Sequence, residues 1–359
     1  MNTKPGNLKI RPAILGMSPY LPPLESRDPE KHLLMDFNES PIPPSVGAIN
    51  AITDFLSKRA NIYPAYHDFI ETLSDYTAME QDRLILSNGS DHGIELVLRC
   101  FLEPGDELLM ALPGFAMFEQ VASTLGAKVK GPRFSENMEF PAQALHKAVN
   151  DKTSLMVLIN PNNPTGTTIK MDVIRSLLKN FPDLPILVDE AYFEFSGQTS
   201  VGLLQEFSNL IILRTFSKAL ALPSLRLGYI MASAELIEHF AKIRGPFDVN
   251  SAAVVGAKYQ LEHPQEWQTL TRHLMDEVKP ALESFFNTNK VRFHPSSANF
   301  MLVEMENAKD TVEFLKSKNI LVRHMRPPID NTFRMSLRKM PEMKHFMNIF
   351  KEYLDQQAN

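Results

Sequence analysis

Disulfide bonds and long apolar segments are the two features that this sequence most clearly lacks. Cys100 is the single cysteine among 359 residues, so the chain cannot form an internal disulfide. No apolar stretch reaches the length of a membrane span, and the N-terminus lacks the basic-then-apolar pattern of a signal peptide. We therefore expect a cytoplasmic protein with no membrane partner.

Strong charge of one sign and metal-ligand spacing are missing as well. The formal net charge is −5 at pH 7 and no long basic block occurs, which argues against nucleic acid as a partner. No Cys/His cluster has the spacing of metal ligands, so we expect no metal site. The chain is 44% hydrophobic and 22% charged, which is typical of a globular protein, and its length predicts two domains.

What the sequence does contain is a series of apolar runs that end in polar residues. The run 154–159 breaks at the segment 160–166, Asn-Pro-Asn-Asn-Pro-Thr-Gly, and a loop after a buried strand faces a cleft. The run 185–192 delivers the carboxylate of Asp189 at the end of a second buried strand. Because an unpaired buried charge is costly, we expect a cationic partner for Asp189.

A third apolar run, residues 210–218, ends in two hydroxyls and an amine. These belong to Thr215, Ser217 and Lys218, and Arg226 follows eight residues after the lysine. Hydroxyls and a guanidinium bind a phosphate dianion through charge-assisted hydrogen bonds. The run therefore predicts an anion pocket beside a primary amine.

A fourth group supplies the other half of this pocket. The short predicted strand 83–87 is followed by Ser90 and Asp91, and then by an amphipathic helix from about Gly93 to Phe101. The free amides at the start of a helix favour phosphate. A buried carboxylate, an amine that burial can neutralise and a phosphate cradle are together the parts of a pyridoxal-phosphate site.

In this order, the four groups resemble those of the fold-type I pyridoxal-phosphate enzymes. The chain is most similar to the histidinol-phosphate aminotransferase branch of the class I/II aminotransferases, over nearly its whole length. The resemblance implies pyridoxal 5'-phosphate as cofactor, Lys218 as the catalytic Schiff-base lysine, and Asp189 as the partner of the pyridine nitrogen. It also implies that Asn163 and the catalytic Tyr192 bind the ring hydroxyl.

The resemblance assigns the remaining cofactor contacts residue by residue. Phe115 matches an aromatic ring stacked on the cofactor, and Tyr63 matches a tyrosine that reaches the neighbouring subunit's cofactor phosphate. The role of Tyr63 implies a homodimer. The phosphate-binding positions of the family are matched by Ser90, Asp91, Thr215, Ser217 and Arg226.

The substrate end is also assigned by resemblance. Arg323 and Arg334 match arginines that face the anionic end of the substrate, while Tyr20 and Asn38 match segments that close over it. Asn299 is placed to position the two arginines. Because a bidentate arginine suits a carboxylate or a phosphate ester equally, charge alone leaves both substrate classes open.

The predicted reaction transfers an amino group between small amine and keto-acid substrates. Histidinol phosphate and 2-oxoglutarate would give imidazole acetol phosphate and glutamate, a step of histidine biosynthesis. Two departures from that branch, 113–115 (Pro-Gly-Phe) and 223–226 (Pro-Ser-Leu-Arg), are similar to threonine-phosphate decarboxylase. A decarboxylase of that type and an aromatic amino acid aminotransferase therefore remain alternatives. A non-enzymatic cofactor sensor is disfavoured because no DNA-binding module precedes residue 46.

The fold class predicted from the pattern of elements is α/β. Residues 1–45 are rich in proline and are expected to form an N-terminal arm. Residues 46–255 alternate strand and helix, which predicts a mostly parallel central sheet with helices on both faces, here resembling the large domain of aspartate aminotransferase. Residues 256–359 predict a small α+β C-terminal domain. It contains a helix with apolar positions at Leu274, Val278, Leu282 and Phe285, and ends in a helix over 343–354.

Overall fold

A seven-stranded sheet lies at the centre of the fold. The structure, a computed structural model, describes residues 9–24 and 27–357. The strands are β1 Leu33–Leu34, β2 Leu84–Ser87, β3 Glu107–Met110, β4 Lys128–Lys130, β5 Thr153–Ile159, β6 Ile186–Asp189, β7 Leu210–Thr215, β8 Gly228–Met231, β9 Arg292–His294, β10 Phe300–Glu304, β11 Ile320–Leu321, β12 Arg323–His324 and β13 Thr332–Ser336.

Helices surround this sheet and also form much of the C-terminal third. They are α1 Pro12–Leu15, α2 Val46–Arg59, α3 His67–Thr77, α4 Gly89–Phe101, α5 Ala116–Leu125, α6 Ala142–Ala148, α7 Met171–Asn180, α8 Phe193–Ser196, α9 Ala234–Ile243, α10 Ser251–Glu262, α11 Gln265–Arg272, α12 Lys279–Thr288, α13 Ala308–Ser317 and α14 Met340–Gln357. A π-helical segment, His273–Val278, joins α11 to α12. Among the described residues, none of the helices combines the length and apolar character that a membrane span requires.

The central sheet is mostly parallel, as predicted. Its strand order is β2-β8-β7-β6-β5-β3-β4, and only β8 runs antiparallel to its neighbours. Side chains alternate between two apolar clusters: Met156 and Leu158 on β5 belong to one, while Leu155 and Val157 belong to the other. Because both faces are buried, the strand reads as a continuous apolar run. Helices on both faces are thereby confirmed.

A second sheet organises the C-terminal part of the chain. Strands β12, β13, β10 and β9 pair antiparallel in that order. Aromatic side chains of α12 and α14 fill the space beside it, with the rings of Phe286 and Phe350 5.9 Å apart. This sheet and its helices give the predicted α+β character, while the boundaries at residues 45 and 255 stay predictions.

The predicted arm differs from the structure at its end. Leu33 and Leu34 pair in parallel with Ile320 and Leu321, and the Met35 amide donates to the Leu321 carbonyl at 2.8 Å. These are three consecutive apolar residues, and their burial stabilises the packed arrangement over a free arm despite the nearby prolines. Residues 33–35 thus belong to the packed body of the protein.

Two helices also begin or face differently from the prediction. Helix α4 begins at Gly89, four residues before the predicted Gly93, because tertiary contacts override the low helix propensity of its two glycines. In the long C-terminal helical stretch, Phe286 is fully buried and Phe285 only half-buried. The π-helical segment upstream widens one turn and shifts the buried face by one residue.

Candidate active site

Three parallel strands deliver the predicted polar residues to one edge of the sheet. In the register of β5, β6 and β7, Ile159 lies opposite Asp189, and Asp189 lies opposite Leu213. The loops after these strands carry Asn163 and Lys218 to the same edge. The carboxyl ends of parallel strands are where ligands bind in open α/β sheets.

Asp189 is a buried carboxylate with little local compensation. It is 4% exposed, and its Oδ1 accepts a hydrogen bond from the Ala191 amide at 3.1 Å. Burial raises the pKa of Asp189 to about 7, against the opposing effect of the Ala191 hydrogen bond. Within the described part of the chain, no Lys, Arg or His forms an ion pair with it. A cation bound beside Asp189 would favour its ionised form.

Lys218 lies near this carboxylate and is held by the main chain. Its Nζ donates to the Phe37 carbonyl oxygen at 2.9 Å. Burial, followed by the charge of Arg334, lowers the pKa of Lys218 to about 8. A substantial fraction of the amine is thus neutral near physiological pH, which a nucleophilic lysine needs.

An anion cradle lies at the start of helix α4. The guanidinium of Arg226 donates to Ser217 Oγ at 3.4 Å and to Asp91 Oδ2 at 2.9 Å. Thr215 Oγ1 donates to Ser217 Oγ at 3.0 Å, and Ser90 lies in the uncapped first turn of the helix. Hydroxyls, a guanidinium and free helix amides together bind phosphate.

Two glycines keep this cradle open. A Cβ at Gly89, where φ is +75°, would lie 2.4 Å from Arg226 Nη2. A Cβ at Gly228 would lie 2.9 Å from the Ser90 amide nitrogen. Both distances are below any normal contact, so a side chain at either position would displace the groups of the cradle.

The hydroxyl of Tyr192 is the meeting point of two side-chain amides. Asn38 Nδ2 donates to it at 2.9 Å, and Asn163 Nδ2 donates to it at 3.5 Å. Because both amides act as donors, the tyrosine proton is free to be donated to another acceptor. The three residues come from segments far apart in sequence, and the fold brings them together.

Arg334 is a buried cation without an anionic partner. It is 8% exposed, donating to Asn163 Oδ1 at 2.5 Å and to the Asp36 carbonyl at 2.7 Å. No carboxylate pairs with it among the residues that the structure describes, and its Nε has no partner. Burial lowers the pKa of Arg334, and the charge of Arg323 acts in the same direction. Such a site is satisfied by an external anion.

The other predicted substrate residues surround Arg334. Arg323 lies opposite it in the register of β12 and β13, with its guanidinium 5.7 Å from the centre of the Phe37 ring. Tyr20 is close enough for its charge state to affect the pKa of Arg334. Asn299 is fully buried, and its Nδ2 donates to the Asn38 carbonyl at 3.1 Å.

Two predicted cofactor residues lie outside this cluster of hydrogen bonds. Phe115 is half-buried at the start of α5, packed against the apolar cluster on that side of the sheet. Tyr63 is 76% exposed, and its ring stacks on Phe247 with centroids 4.4 Å apart. The roles predicted for these two residues remain predictions.

Comparison with known proteins gives the family. The model of the family described as aminotransferase class I and II matches residues 33–350. The chain belongs to this family. It is an aminotransferase, and its cofactor is pyridoxal 5'-phosphate.

Individual relatives agree with this assignment. The aminotransferase is 32% identical over 365 residues to histidinol-phosphate aminotransferase of Roseiflexus castenholzii, covering 96% of this chain and 97% of that one. It is also 32% identical to dihydroxyacetone phosphate transaminase of Campylobacter jejuni, over 91% of each chain. The structure of Sinorhizobium meliloti histidinol-phosphate aminotransferase with pyridoxal-5'-phosphate has the same fold. Its TM-score is 0.89 at 22% identity, covering 97% of this chain and 98% of that one.

The residues of this aminotransferase fit the parts of its cofactor. Asp189 is a buried carboxylate that needs a cation, which a protonated pyridine nitrogen supplies. Lys218 offers an amine of lowered pKa for the aldehyde, and the cradle that Gly89 and Gly228 keep open suits the phosphate. The chemistry of the donor set thus agrees with the family assignment.

Several site residues of the aminotransferase could not be found from motifs. Arg334 and Lys218 are held by the carbonyl oxygens of Asp36 and Phe37, which carry no side-chain signal. The side chain of Ser336 accepts from the Asn38 amide at 2.9 Å across 298 residues of sequence. Only their place in the sequence pointed to these two residues, because Asp36 and Phe37 directly precede Asn38, a predicted site residue.

Proposed function

We propose that this aminotransferase takes the amino group of histidinol phosphate and transfers it to 2-oxoglutarate, giving imidazole acetol phosphate and glutamate. The observation that carries the proposal is Arg334, a buried guanidinium whose neighbours are neutral oxygens. A phosphate monoester would supply the missing charge. The R. castenholzii relative, which is named for this activity, supports the choice.

In this proposal the cofactor binds along the strand ends. Asp189 would hold the pyridine nitrogen, Asn163 and Tyr192 would bind the ring hydroxyl, and Phe115 would stack on the ring. The cradle would hold the phosphate group through Ser90, Thr215, Ser217 and Arg226, with Asp91 orienting the guanidinium of Arg226. When bound, the cofactor supplies an electron sink for the charge left at the substrate carbon.

Lys218 carries the proton in the proposed reaction. Its amine would take the proton from the α-carbon of the substrate and donate it to the aldehyde carbon of the cofactor. This role requires a pKa near the operating pH. The Phe37 carbonyl, 2.9 Å from Nζ, holds the amine when it carries the proton. Tyr192, whose hydroxyl accepts from Asn38, is a second catalytic residue in this account.

Arg334 and Arg323 recognise the anionic end of both substrates. A planar guanidinium binds two oxygens of a phosphate or a carboxylate in parallel, so one arginine pair serves donor and acceptor alike. Tyr20 and Asn38 contribute from segments that lie over the pair. Asn299 positions Asn38 through the carbonyl of that residue.

We further propose that the enzyme is a cytoplasmic homodimer. Exposed apolar side chains support the dimer: Val46 on α2 is 77% exposed and Phe247 is 52% exposed. Tyr63 stacks on Phe247 and would reach the partner's cofactor phosphate. The cytoplasm agrees with a chain whose single cysteine rules out an internal disulfide.

Product analysis tests the proposed reaction. Purified protein with pyridoxal phosphate is mixed with histidinol phosphate and 2-oxoglutarate, and glutamate and carbon dioxide are measured together. We expect glutamate without carbon dioxide, and no glutamate from Lys218→Ala. Parallel reactions use threonine phosphate, aromatic amino acids, and glutamate with dihydroxyacetone phosphate.

Each alternative has its own outcome in this assay. Carbon dioxide release from threonine phosphate would replace the proposal with a decarboxylase. Faster transfer with an aromatic amino acid, or from glutamate to dihydroxyacetone phosphate, would replace the donor while leaving the aminotransferase assignment intact.

A further inference from the structure

A buried cluster of charged side chains lies behind the substrate arginines. The guanidinium of Arg27 is 12% exposed and forms ion pairs with two carboxylates, at 3.0 Å to Asp36 Oδ1 and more closely to Glu39. Its plane also lies over the Phe37 ring, with 4.6 Å between Cζ and the ring centre. Arg27 therefore holds both ends of the segment 36–39.

That segment is also what holds the reacting groups. The Asp36 carbonyl accepts from Arg334 at 2.7 Å, and the Phe37 carbonyl accepts from Lys218 at 2.9 Å. The two carboxylates of the segment thus flank the two carbonyls that position the amine and the anion-binding guanidinium. Without the positive charge of Arg27, the carboxylates of Asp36 and Glu39 would attract Arg334 and the protonated amine of Lys218, which are the groups that act on the substrate.

We propose that Arg27 is a positioning residue that offsets one of the two negative charges of Asp36 and Glu39, so that Arg334 stays available for the substrate anion and Lys218 stays available as a neutral amine. The part concerning Arg334 rests on the proposed function, since it assumes that Arg334 binds the substrate. The part concerning Lys218 needs only the lysine itself.

The charges around Lys218 show where Arg27 acts. Burial has the largest effect on its pKa, followed by Arg334, which lowers it; Glu39 and Asp91 raise the pKa, and Arg226 lowers it. Other titratable groups facing the amine are Asp189 and Tyr192, the latter with its ring centre 5.8 Å from Nζ. Asp91 is already paired with Arg226. Glu39 is paired with Arg27, which also pairs with Asp36, so loss of Arg27 increases the net negative charge of this group by one near the amine.

The test compares Arg27→Gln with a matched variant, Arg338→Gln. Arg338 is 14% exposed, pairs with Glu342 at 3.1 Å, and donates to the Ser40 carbonyl at 3.3 Å. It thus resembles Arg27 in burial and pairing and contacts the chain one residue beyond Glu39. Because Arg338 pairs with Glu342 and with neither Asp36 nor Glu39, its loss leaves both ion pairs of Arg27 in place.

Two measurements are made on cofactor-free protein. Reductive methylation of Lys218, followed by peptide mass spectrometry across pH, reports the neutral fraction of the amine. In titrations with inorganic phosphate, the part of the binding that Arg334→Gln removes reports the anion site, because the cradle at the start of α4 binds phosphate as well. For Arg27→Gln we expect Lys218 to react about three- to tenfold more slowly at pH 7, since one pKa unit is tenfold in neutral fraction. We expect phosphate to bind about fivefold more weakly. Arg338→Gln should change neither.

A second substitution separates charge from packing. In Arg27→Gln/Glu39→Gln one carboxylate is removed together with the guanidinium, so the net charge of the cluster returns to its wild-type value and the methylation rate of Lys218 should return toward that of the wild type. Failure to recover, with the double variant folded, would mean that Arg27 only supports the local structure. If Arg27→Gln does not fold, two other variants are used. Arg27→Lys keeps the positive charge, and Glu39→Gln removes one negative charge near Lys218. Both must leave Lys218 at least as reactive as in the wild type.

The proposed function fails separately from this inference. If the Arg334→Gln variant binds phosphate as well as the wild type does, Arg334 is not the anion site, and the methylation series still decides the role of Arg27. If Arg334→Gln lowers phosphate binding while Arg27→Gln leaves both measurements unchanged, the proposed anion site stands and the inference about Arg27 is overturned.

Discussion

Arg214 and Arg334 are two arginines of similar burial, at 3% and 8% exposure, in very different surroundings. Arg214 donates twice to Glu190 Oε2, at 3.0 and 2.9 Å, and once to Thr199 Oγ1 at 2.6 Å. Its guanidinium also stacks on the Phe193 ring at 3.5 Å. Arg334 donates to neutral oxygens of Asn163 and Asp36.

The pKa values of the two arginines move in opposite directions. Burial acts to lower the pKa of Arg214, but Tyr229 and Glu190 outweigh it, and the net pKa is raised. For Arg334 burial prevails and the pKa is lowered. A buried cation that the chain itself neutralises is structural, whereas one left without an anion costs stability unless a ligand supplies the charge. The contrast supports the proposal that Arg334 binds an anion, without reference to any motif.

The largest expected effect is on stability, from Arg214→Met. Glu190 would be left buried and unpaired, so we expect the free energy of unfolding to fall by about 3 to 5 kcal/mol. Chemical denaturation measures it. Adding Glu190→Gln removes the unpaired charge and should recover part of the loss. A change under about 1 kcal/mol for the single variant would show that the pair is not the structural element that the geometry indicates.

Next in size is the effect of Arg334→Gln, which should appear in catalysis rather than in folding. Truncating a buried charge that binds an anion weakens binding by about 2 to 5 kcal/mol, so kcat/KM should fall on the order of 10²-fold. Denaturation should show unchanged or higher stability, because no internal ion pair is lost. Arg334→Lys should recover little, since an ammonium lacks the planar fork of donors. Normal kcat/KM in Arg334→Gln would remove the contrast between the two arginines.

A smaller effect concerns the charge of Lys218. In cofactor-free protein its reaction with amine reagents should titrate near pH 8, rising with pH as the neutral amine forms. Arg334 is one of the charges that lowers this pKa, so Arg334→Gln should move the midpoint to higher pH. Folded Arg214→Met should leave the midpoint in place. Equal shifts in both variants would indicate that burial alone sets the pKa.

Much of the site could be predicted because its chemistry lies at the ends of apolar runs. Asp189 ends a buried strand and Lys218 follows one, at the edge of a parallel sheet where ligands bind. The central sheet could be predicted for a similar reason, because strands buried on both faces have uninterrupted apolar sequences. Local sequence carried this information.

The missing parts depend on contacts between distant segments. Arg27 meets Asp36 and Glu39 only when the chain folds back over the strand ends, and carbonyl oxygens such as that of Phe37 have no residue type to reveal them. The early start of α4 at Gly89 was hidden for a different reason. A glycine lowers helix propensity, yet here the close approach of Arg226 permits no larger residue.

The smallest expected effect comes from an exposed pair, Arg175 with Glu206, which sets the scale for the two buried arginines. Their side chains are 46% and 48% exposed, so water screens the attraction and both ions remain solvated when separated. We expect Arg175→Gln to change the free energy of unfolding by at most about 0.5 kcal/mol and to leave kcat/KM unchanged. High salt should reduce even that difference. A destabilisation comparable to that of Arg214→Met would mean that burial is not what distinguishes these pairs, and the inference drawn from the unpaired Arg334 would lose its basis.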